Sequence, residues 1–275
     1  MTSAEITDIL KDAPSAAEDA MLSQFSRIDS LVSRDKALAL YRLCMLTPDN
    51  KRALEIGSYR GGSTVALGHA ARAKDLHLYC LDMWAKYKDQ SDFCNMERSK
   101  LDDYEILTEF IHNTSFIKDR LSMLRGSGAD FIHILGTNSF SFVFIDGAHD
   151  YHSVLDDMIL GLKVIEPGGI MCGHDYHSAG TDVIKAVHDM VIQSETIAVK
   201  GLIGKTSIWF AIIEDPEYEY LIGTTIRQMA RADFRSAYQT LTSGIDSVRK
   251  TTELYRILNG LEAELGLKPS QQVNQ

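Results

Sequence analysis

Residues 55–64, Glu55-Ile56-Gly57-Ser58-Tyr59-Arg60-Gly61-Gly62-Ser63-Thr64, decide how this chain folds. RALEIG at 52–57 reads as a buried strand. GGSTVALGHAARA at 61–73 reads as a helix whose start carries Ser63 and Thr64, residues suited to satisfying free backbone N–H groups. A strand, a glycine turn and a helix start in that order make a cradle for a nucleotide-like ligand. The spacing narrows the choice. A pyrophosphate-binding turn wants G-x-G-x-x-G so that the backbone can approach closely, but here three residues separate Gly57 from Gly61, and the Glu55 carboxylate stands beside them.

Working outward, the second strand LHLYCLD (76–82) ends in Asp82, 25 residues after Gly57, where a carboxylate can accept hydrogen bonds from ribose hydroxyls. FSFVFIDG (140–147) is a third strand, followed by a helical apolar stripe of Val154, Leu155, Met158, Ile159, Leu162 and Ile165 that Pro167-Gly168-Gly169 ends. IMCG (170–173) reads as a strand, about 181–193 as a helix, and IAVKGLIGKTSIWFAII (197–213) as an antiparallel pair around a glycine-bearing turn. The stretch 84–125 is long for a connection, polar first and helical later, and reads as an insertion plus one crossover helix. Alternating strands and helices predict an α/β, mostly parallel sheet. Helical periodicity over about 15–46, and again beyond Asp215-Pro216, divides the chain into an N-terminal helical segment (1–50), a ligand-binding domain (51–215) and a C-terminal helical segment (216–275). The terminal helices are expected to act as a cover or as a contact between copies.

Composition bounds the partners. With 28 Lys and Arg against 38 Asp and Glu, the formal charge of −10 argues against a nonspecific grip on nucleic acid or an anionic membrane. The first twenty residues are acidic and lack the basic start and apolar run of a signal peptide, so a cytoplasmic protein acting on a small molecule is expected. Cys44, Cys80, Cys94 and Cys172 stand far apart, which suggests buried thiols and no zinc knuckle or disulfide framework.

A second constellation lies further along. Asp146 and Asp175 each follow a strand end, where ligands bind in open parallel sheets, and His149 sits on the connection D-G-A-H. An imidazole there is suited to general-base work near neutral pH, and a divalent cation held by the two carboxylates would lower the pKa of an acceptor hydroxyl. Other readings stand beside these: Asp146 as the cap of a helix starting near Ser153, His149 as a solvated loop residue, Asp175 as a turn residue before Gly180. Tyr151, His152, Tyr176 and His177 fit a pocket wall as well as packing, and His188 fits a surface helix. Trp84 and Tyr87 suit a cover over a ligand or core packing, and 86–92 suits a lid.

Taken together, E-I-G-S-Y-R-G-G-S-T, L-D-M-W, F-I-D-G-A-H-D-Y, P-G-G and G-H-D-Y resemble the class I S-adenosylmethionine-dependent methyltransferases, and within them the bacterial group related to macrolide-sugar and cephalosporin-biosynthesis methyltransferases. The likeness covers about residues 51–213. It implies a Rossmann-like, seven-stranded sheet with an antiparallel terminal strand. It also implies cofactor contacts from Glu55, Gly57, Ser58, Gly61, Ser63 and Asp146, a ribose contact from Asp82 and an adenine contact from Ser127. At the second constellation it implies a base at His149, with Asp146 assisting, and a metal held by Asp146, His174 and Asp175. His174 stands where a carboxylate is usual, which shifts the donor set from magnesium toward manganese, iron or zinc. The expected reaction is O-methylation of a hydroxylated small molecule such as a sugar or secondary metabolite. The alternatives are an N-methyltransferase, a noncatalytic cofactor-binding or assembly protein and, disfavoured by the missing glycine, a nicotinamide oxidoreductase.

Overall fold

The computed structural model describes residues 1–85, 103–248 and 250–268. Seven strands form one sheet: β1 (Arg52–Ile56), β2 (His77–Asp82), β3 (Leu121–Arg125), β4 (Phe140–Ile145), β5 (Ile165–Gly173), β6 (Lys200–Leu202) and β7 (Trp209–Ile213). Their spatial order is β3-β2-β1-β4-β5-β7-β6. The first five run parallel, β7 lies antiparallel to β5, and β6 antiparallel to β7. The order reverses between β1 and β4, and a crevice opens at such a switch point beyond the strand ends. All six residues of β4 are buried, as expected for a parallel strand covered on both faces.

Neighbouring side chains on a strand point to opposite faces, and the two faces build two cores. Ala53, Cys80, Phe142 and Phe210 join α1 (Ser3–Thr7), α2 (Ala16–Phe25), α3 (Arg34–Met45), α4 (Gly62–Lys74) and α5 (Asp103–Thr114). Leu54, Leu81, Val143 and Trp209 pack against α7 (Tyr151–Val164) and α8 (Thr181–Val187) on the other face; α6 (Gly128–Phe131) is a single short turn after β3. A third cluster, including Tyr218, Leu241, Leu254 and Leu261, unites α9 (Pro216–Ala230), α10 (Phe234–Gly244) and α11 (Thr252–Glu264). Among the described residues no helix is long and apolar enough to cross a membrane. Cys44, Cys80 and Cys172 are buried free thiols, and Cys94 lies outside the described residues.

Several sequence expectations need correction. The helical pattern of 15–46 is broken between α2 and α3, where Ser30 Oγ accepts from Val32 N–H and Ser33 caps α3, because serines offer the backbone alternatives to a continuing helix. The region 84–125 also holds a strand, β3, whose Ser122 and Arg125 interrupt its apolar pattern. Helix α7 ends at Val164, before Pro167, and β5 runs through Pro167-Gly168-Gly169. Its start is Tyr151, capped by Asp150, whose Oδ1 accepts from Ser153 N–H at 3.0 Å; Asp146 is not the cap. The helix expected over 181–193 passes into a π-helical turn at His188–Ile192.

Candidate functional site

The glycine loop is held by a buried acid. Glu55 is fully buried and accepts from Ser63 Oγ at 2.5 Å, Thr64 Oγ1 at 2.5 Å, Ser58 Oγ at 2.9 Å and Cys80 Sγ at 3.4 Å. Burial pushes its pKa above the ordinary carboxyl range, and the four donors offset only part of that push. Glu55 therefore folds the turn from inside, and the hydroxyls of Ser58 and Ser63, expected at the ligand, are turned toward it. Gly57 takes φ +88°, and a Cβ added there would lie 2.0 Å from the carbonyl oxygen of Asp146. Only glycine lets the loops after β1 and β4 meet this closely. Gly61, at φ +87°, starts α4.

Asp82 is shared between loop and cavity. Its Oδ2 accepts from Ser58 N–H at 2.9 Å and Tyr59 N–H at 2.8 Å, and its Oδ1 from Trp84 N–H at 2.7 Å. A carboxylate oxygen has two lone pairs, so Oδ1 keeps room for one further hydrogen bond where the sequence suggested two. Trp84 is buried, packs at a tilt against Phe110 with ring centroids 4.8 Å apart and donates its Nε1–H to the Tyr59 carbonyl at 3.0 Å. It belongs to the core and does not cover a ligand. Tyr87 and the expected lid at 86–92 lie outside the described residues.

The turn between α2 and α3 is a contributor that sequence reasoning missed. Asp29 pairs with Arg60, and a Cβ on Gly62 would lie 2.1 Å from Ser30 Oγ, so this turn backs the glycine loop from outside. Nothing in the pattern around Asp29 and Ser30 marks a site; the contact exists only because α2 and α3 fold over α4.

Beyond Asp82 opens a cavity of about 260 Å³ between the ends of β1–β4. Its apolar walls include Ile56, Leu81, Met83 and Ala129, its polar ones Asp82, Ser127, Ser153, Asp156 and Asp157, and among the described residues no Lys or Arg lines it. Ser127 is where the sequence places it, but its hydroxyl and its N–H both donate to Asp130 Oδ2 at 2.8 Å, so its hydrogens are already used. Asp156 and Asp157 were not anticipated: on sequence they look like the polar face of α7. Asp156 is paired with Arg227 and Arg231.

At the ends of β4 and β5 the second constellation assembles around Asp175, a non-glycine residue at φ +60°. Its Oδ2 lies 2.8 Å from His149 Nε2, and its Oδ1 lies 3.1 Å from both His174 Nδ1 and His177 Nε2. His174 Nδ1 also approaches Asp146 Oδ1 at 3.4 Å, and its Nε2 is buried without a partner among the described residues. Burial opposes charge on His174, but Asp146 and Asp175 outweigh it and raise its pKa to about 9. The same burial would raise Asp175, yet hydrogen bonds from His149 and His174 hold it well below the carboxylate range. Among the described residues, Asp146, His149 and Asp175 each offer a ligand atom within 4.8 Å of the others. His174, expected as a ligand, is not part of that set and bridges the two carboxylates instead. Tyr151 donates its hydroxyl to Asp189 at 2.6 Å and packs under Lys185; Tyr176 is partly buried, while His152 and His188 are exposed.

Comparison with known proteins gives the following. The profile of a family described as a methyltransferase domain matches residues 54–176. No curated protein matches the sequence. Among solved structures, the O-methyltransferase NovP is similar with a TM-score of 0.53 and 14% identity, covering 78% of this chain and 98% of its own. The O-methyltransferase TomG of Streptomyces achromogenes, involved in tomaymycin synthesis and crystallised with S-adenosylmethionine, is similar with a TM-score of 0.50 and 16% identity, covering 78% and 97%. These likenesses are likenesses of fold.

Proposed function

Residues 54–176 carry a methyltransferase domain of the class I, Rossmann-like kind, and on that premise we propose that the chain moves a methyl group from S-adenosylmethionine to an oxygen of a small hydroxylated acceptor such as a sugar or secondary metabolite. The observation that carries the cofactor is the cavity at the β1/β4 switch point, part apolar and lined among the described residues by the carboxylates of Asp82, Asp156 and Asp157. Such a site repels the pyrophosphate of a dinucleotide and suits a nucleoside bearing a sulfonium. Gly57 and Gly61 shape the cradle, Asp82 offers Oδ1 to a ribose hydroxyl, and Asp146 closes the crevice from the β4 side. Bound there, S-adenosylmethionine supplies an electrophilic methyl whose sulfur departs as a neutral thioether.

The acceptor side supports oxygen over nitrogen. NovP and TomG, which share the fold, are O-methyltransferases, and an unactivated hydroxyl, unlike a neutral amine, needs a base. His149 is that base in this reading. Its Nε2–H donates to Asp175, which fixes the tautomer, places the basic lone pair on Nδ1 and steadies the imidazolium that forms. As the acceptor oxygen bonds to the methyl carbon, the hydroxyl proton passes to Nδ1. The Asp146–His174–Asp175 cluster keeps the surrounding charge balanced.

A second reading has its own observation: Asp146, His149 and Asp175 are close enough to share a cation. Two oxygens and an imidazole fit manganese, iron or zinc better than magnesium. His149 would then be a ligand and not the base. One assay separates the readings: transfer of labelled methyl to hydroxylated and amine acceptors by wild type and His149→Ala, with and without chelator. The base reading expects label on oxygen, a ~10²–10⁴-fold fall in turnover for His149→Ala with cofactor affinity kept, and no effect of chelator. Activity abolished by chelator and restored by a divalent ion would install the metal instead, and label only on amines would remove the O-methylation claim.

A further inference from the structure

The glycine turn is also held from its outer side, by a side chain that the reading above does not use. Tyr59 takes φ +46° between Gly57 at +88° and Gly61 at +87°. A bulky residue in the left-handed region persists only where its surroundings fix it. Asp82 fixes the inner side, accepting from the N–H groups of Ser58 and Tyr59. Arg60, the next residue, fixes the outer side. Its side chain is 11% exposed, one terminal guanidinium nitrogen pairs with Asp29 in the turn between α2 and α3, and its Nε lies 3.1 Å from Glu109 Oε2 on α5.

Helix α5 grips the same residue twice. Asn113 stands four residues after Glu109, on the same helix face, and its Nδ2 donates to the Arg60 carbonyl at 2.8 Å. The helix also backs the turn on either side of Arg60: Phe110 packs on Trp84, whose indole N–H holds the Tyr59 carbonyl, and a Cβ on Gly61 would lie 3.1 Å from Thr114 Cγ2. Asp29 is 88% exposed and Glu109 45%. Ion pairs to carboxylates that stand so far in solvent add little to global stability, so the consequence of these two is local: they fix where the loop lies.

We propose that Arg60 is a positioning residue: clasped by Asp29 and Glu109, it holds the left-handed turn from Gly57 to Gly61 in the shape that admits the cofactor. The N-terminal segment and α5 are then working parts of the cofactor site and not only a cover over it. This rests on the S-adenosylmethionine reading. A loop that visits its binding shape for only a fraction of the time binds more weakly by that fraction, so releasing the clasp costs affinity while the fold stays intact.

The test pairs calorimetric binding of S-adenosylhomocysteine with amide hydrogen exchange over residues 56–64 of the unliganded full chain. Arg60→Met keeps the aliphatic bulk and removes the charge. It is expected to weaken binding ~10-fold and to speed exchange in the loop by a similar factor, while β4 exchanges as in wild type. Arg60→Lys, which keeps the charge beside Asp29, falls between the two, and Glu109→Gln moves both readings the same way by about threefold. Should Arg60→Met fail to fold, Glu109→Gln and Asp29→Asn, which alter only exposed partners, decide in its place. Wild-type affinity in the folded variants overturns the proposal, as does weaker binding with loop exchange unchanged. Exchange that rises equally in β4 and in the loop marks a merely structural arginine and overturns it too. A wild type that binds no S-adenosylhomocysteine overturns the cofactor reading itself, and is told apart because loop exchange in the unliganded chain still reports whether Arg60 holds the turn.

Discussion

Glu55 stands at the end of a strand, in a loop that ought to meet a ligand, with its carboxyl turned inward to three hydroxyls and a thiol. Its identity as an acid beside a glycine turn was legible in the sequence; the direction it faces was not, because that depends on Ser58, Ser63, Thr64 and Cys80 converging in space. The same holds for Asp82, whose spacing from Gly57 marked it while its three backbone N–H donors were invisible. Removing the Glu55 acceptor leaves buried hydroxyls unsatisfied at about 1 kcal/mol or more each, so Glu55→Ala is expected to lower unfolding free energy by about 2–4 kcal/mol. Glu55→Gln keeps an acceptor oxygen and suits a site where burial already disfavours charge, and should cost less than half as much. Urea unfolding of the two variants checks this; equal losses would show that the hydroxyl contacts contribute little.

The elements most clearly written in the sequence are the buried parallel strands, since β1, β2 and β4 are short, mostly apolar segments that need no tertiary knowledge to recognise. β3 escaped because an edge strand needs less apolar surface, and LSMLR is only partly buried. The break between α2 and α3 escaped because local serine contacts decide it. The C-terminal helices announced their periodicity but not their attachment. Glu219 on α9 accepts from Ser194 Oγ at 2.7 Å and from Thr196 Oγ1, while Glu253 on α11 accepts from the Tyr218 hydroxyl at 3.0 Å and from the Glu195 N–H at 3.3 Å. Burial raises the pKa of Glu219 to about 7 against the hydroxyl donors, with Glu253 and Asp215 adding to the rise. A folded pKa above the unfolded one means that this contribution is complete below about pH 4.5 and is lost as pH rises through about 7. Between pH 5.5 and 8, wild type is therefore expected to lose on the order of 1–3 kcal/mol relative to Glu219→Gln. Parallel stability–pH curves for the two proteins would refute the assignment.

At the scale of the whole molecule, one strand order explains why two separate sequence motifs form one crevice. β1 and β4 are distant in sequence and adjacent in the sheet, so Gly57 meets Asp146, and His149 and Asp175 meet from the ends of β4 and β5. The motifs announced this convergence through the switch-point rule. They did not announce that His174 would bridge Asp146 and Asp175 while His149 joined the set able to share a cation, because that exchange depends on the turn at Asp175. The cavity's acidic lining emerges only when Asp82 at the end of β2, the turns after β3 and β4, and Asp156 and Asp157 of α7 are brought together. In the function proposed above, this cavity is the adenosine end of an S-adenosylmethionine site. Calorimetric titration of the full chain with S-adenosylmethionine and S-adenosylhomocysteine, wild type against Asp82→Asn, tests it most directly. Wild type is expected to bind at one site per chain, with affinity weakened ~10–100-fold by the substitution through a lost charge-assisted hydrogen bond; no binding of either compound to wild type would overturn the cofactor assignment.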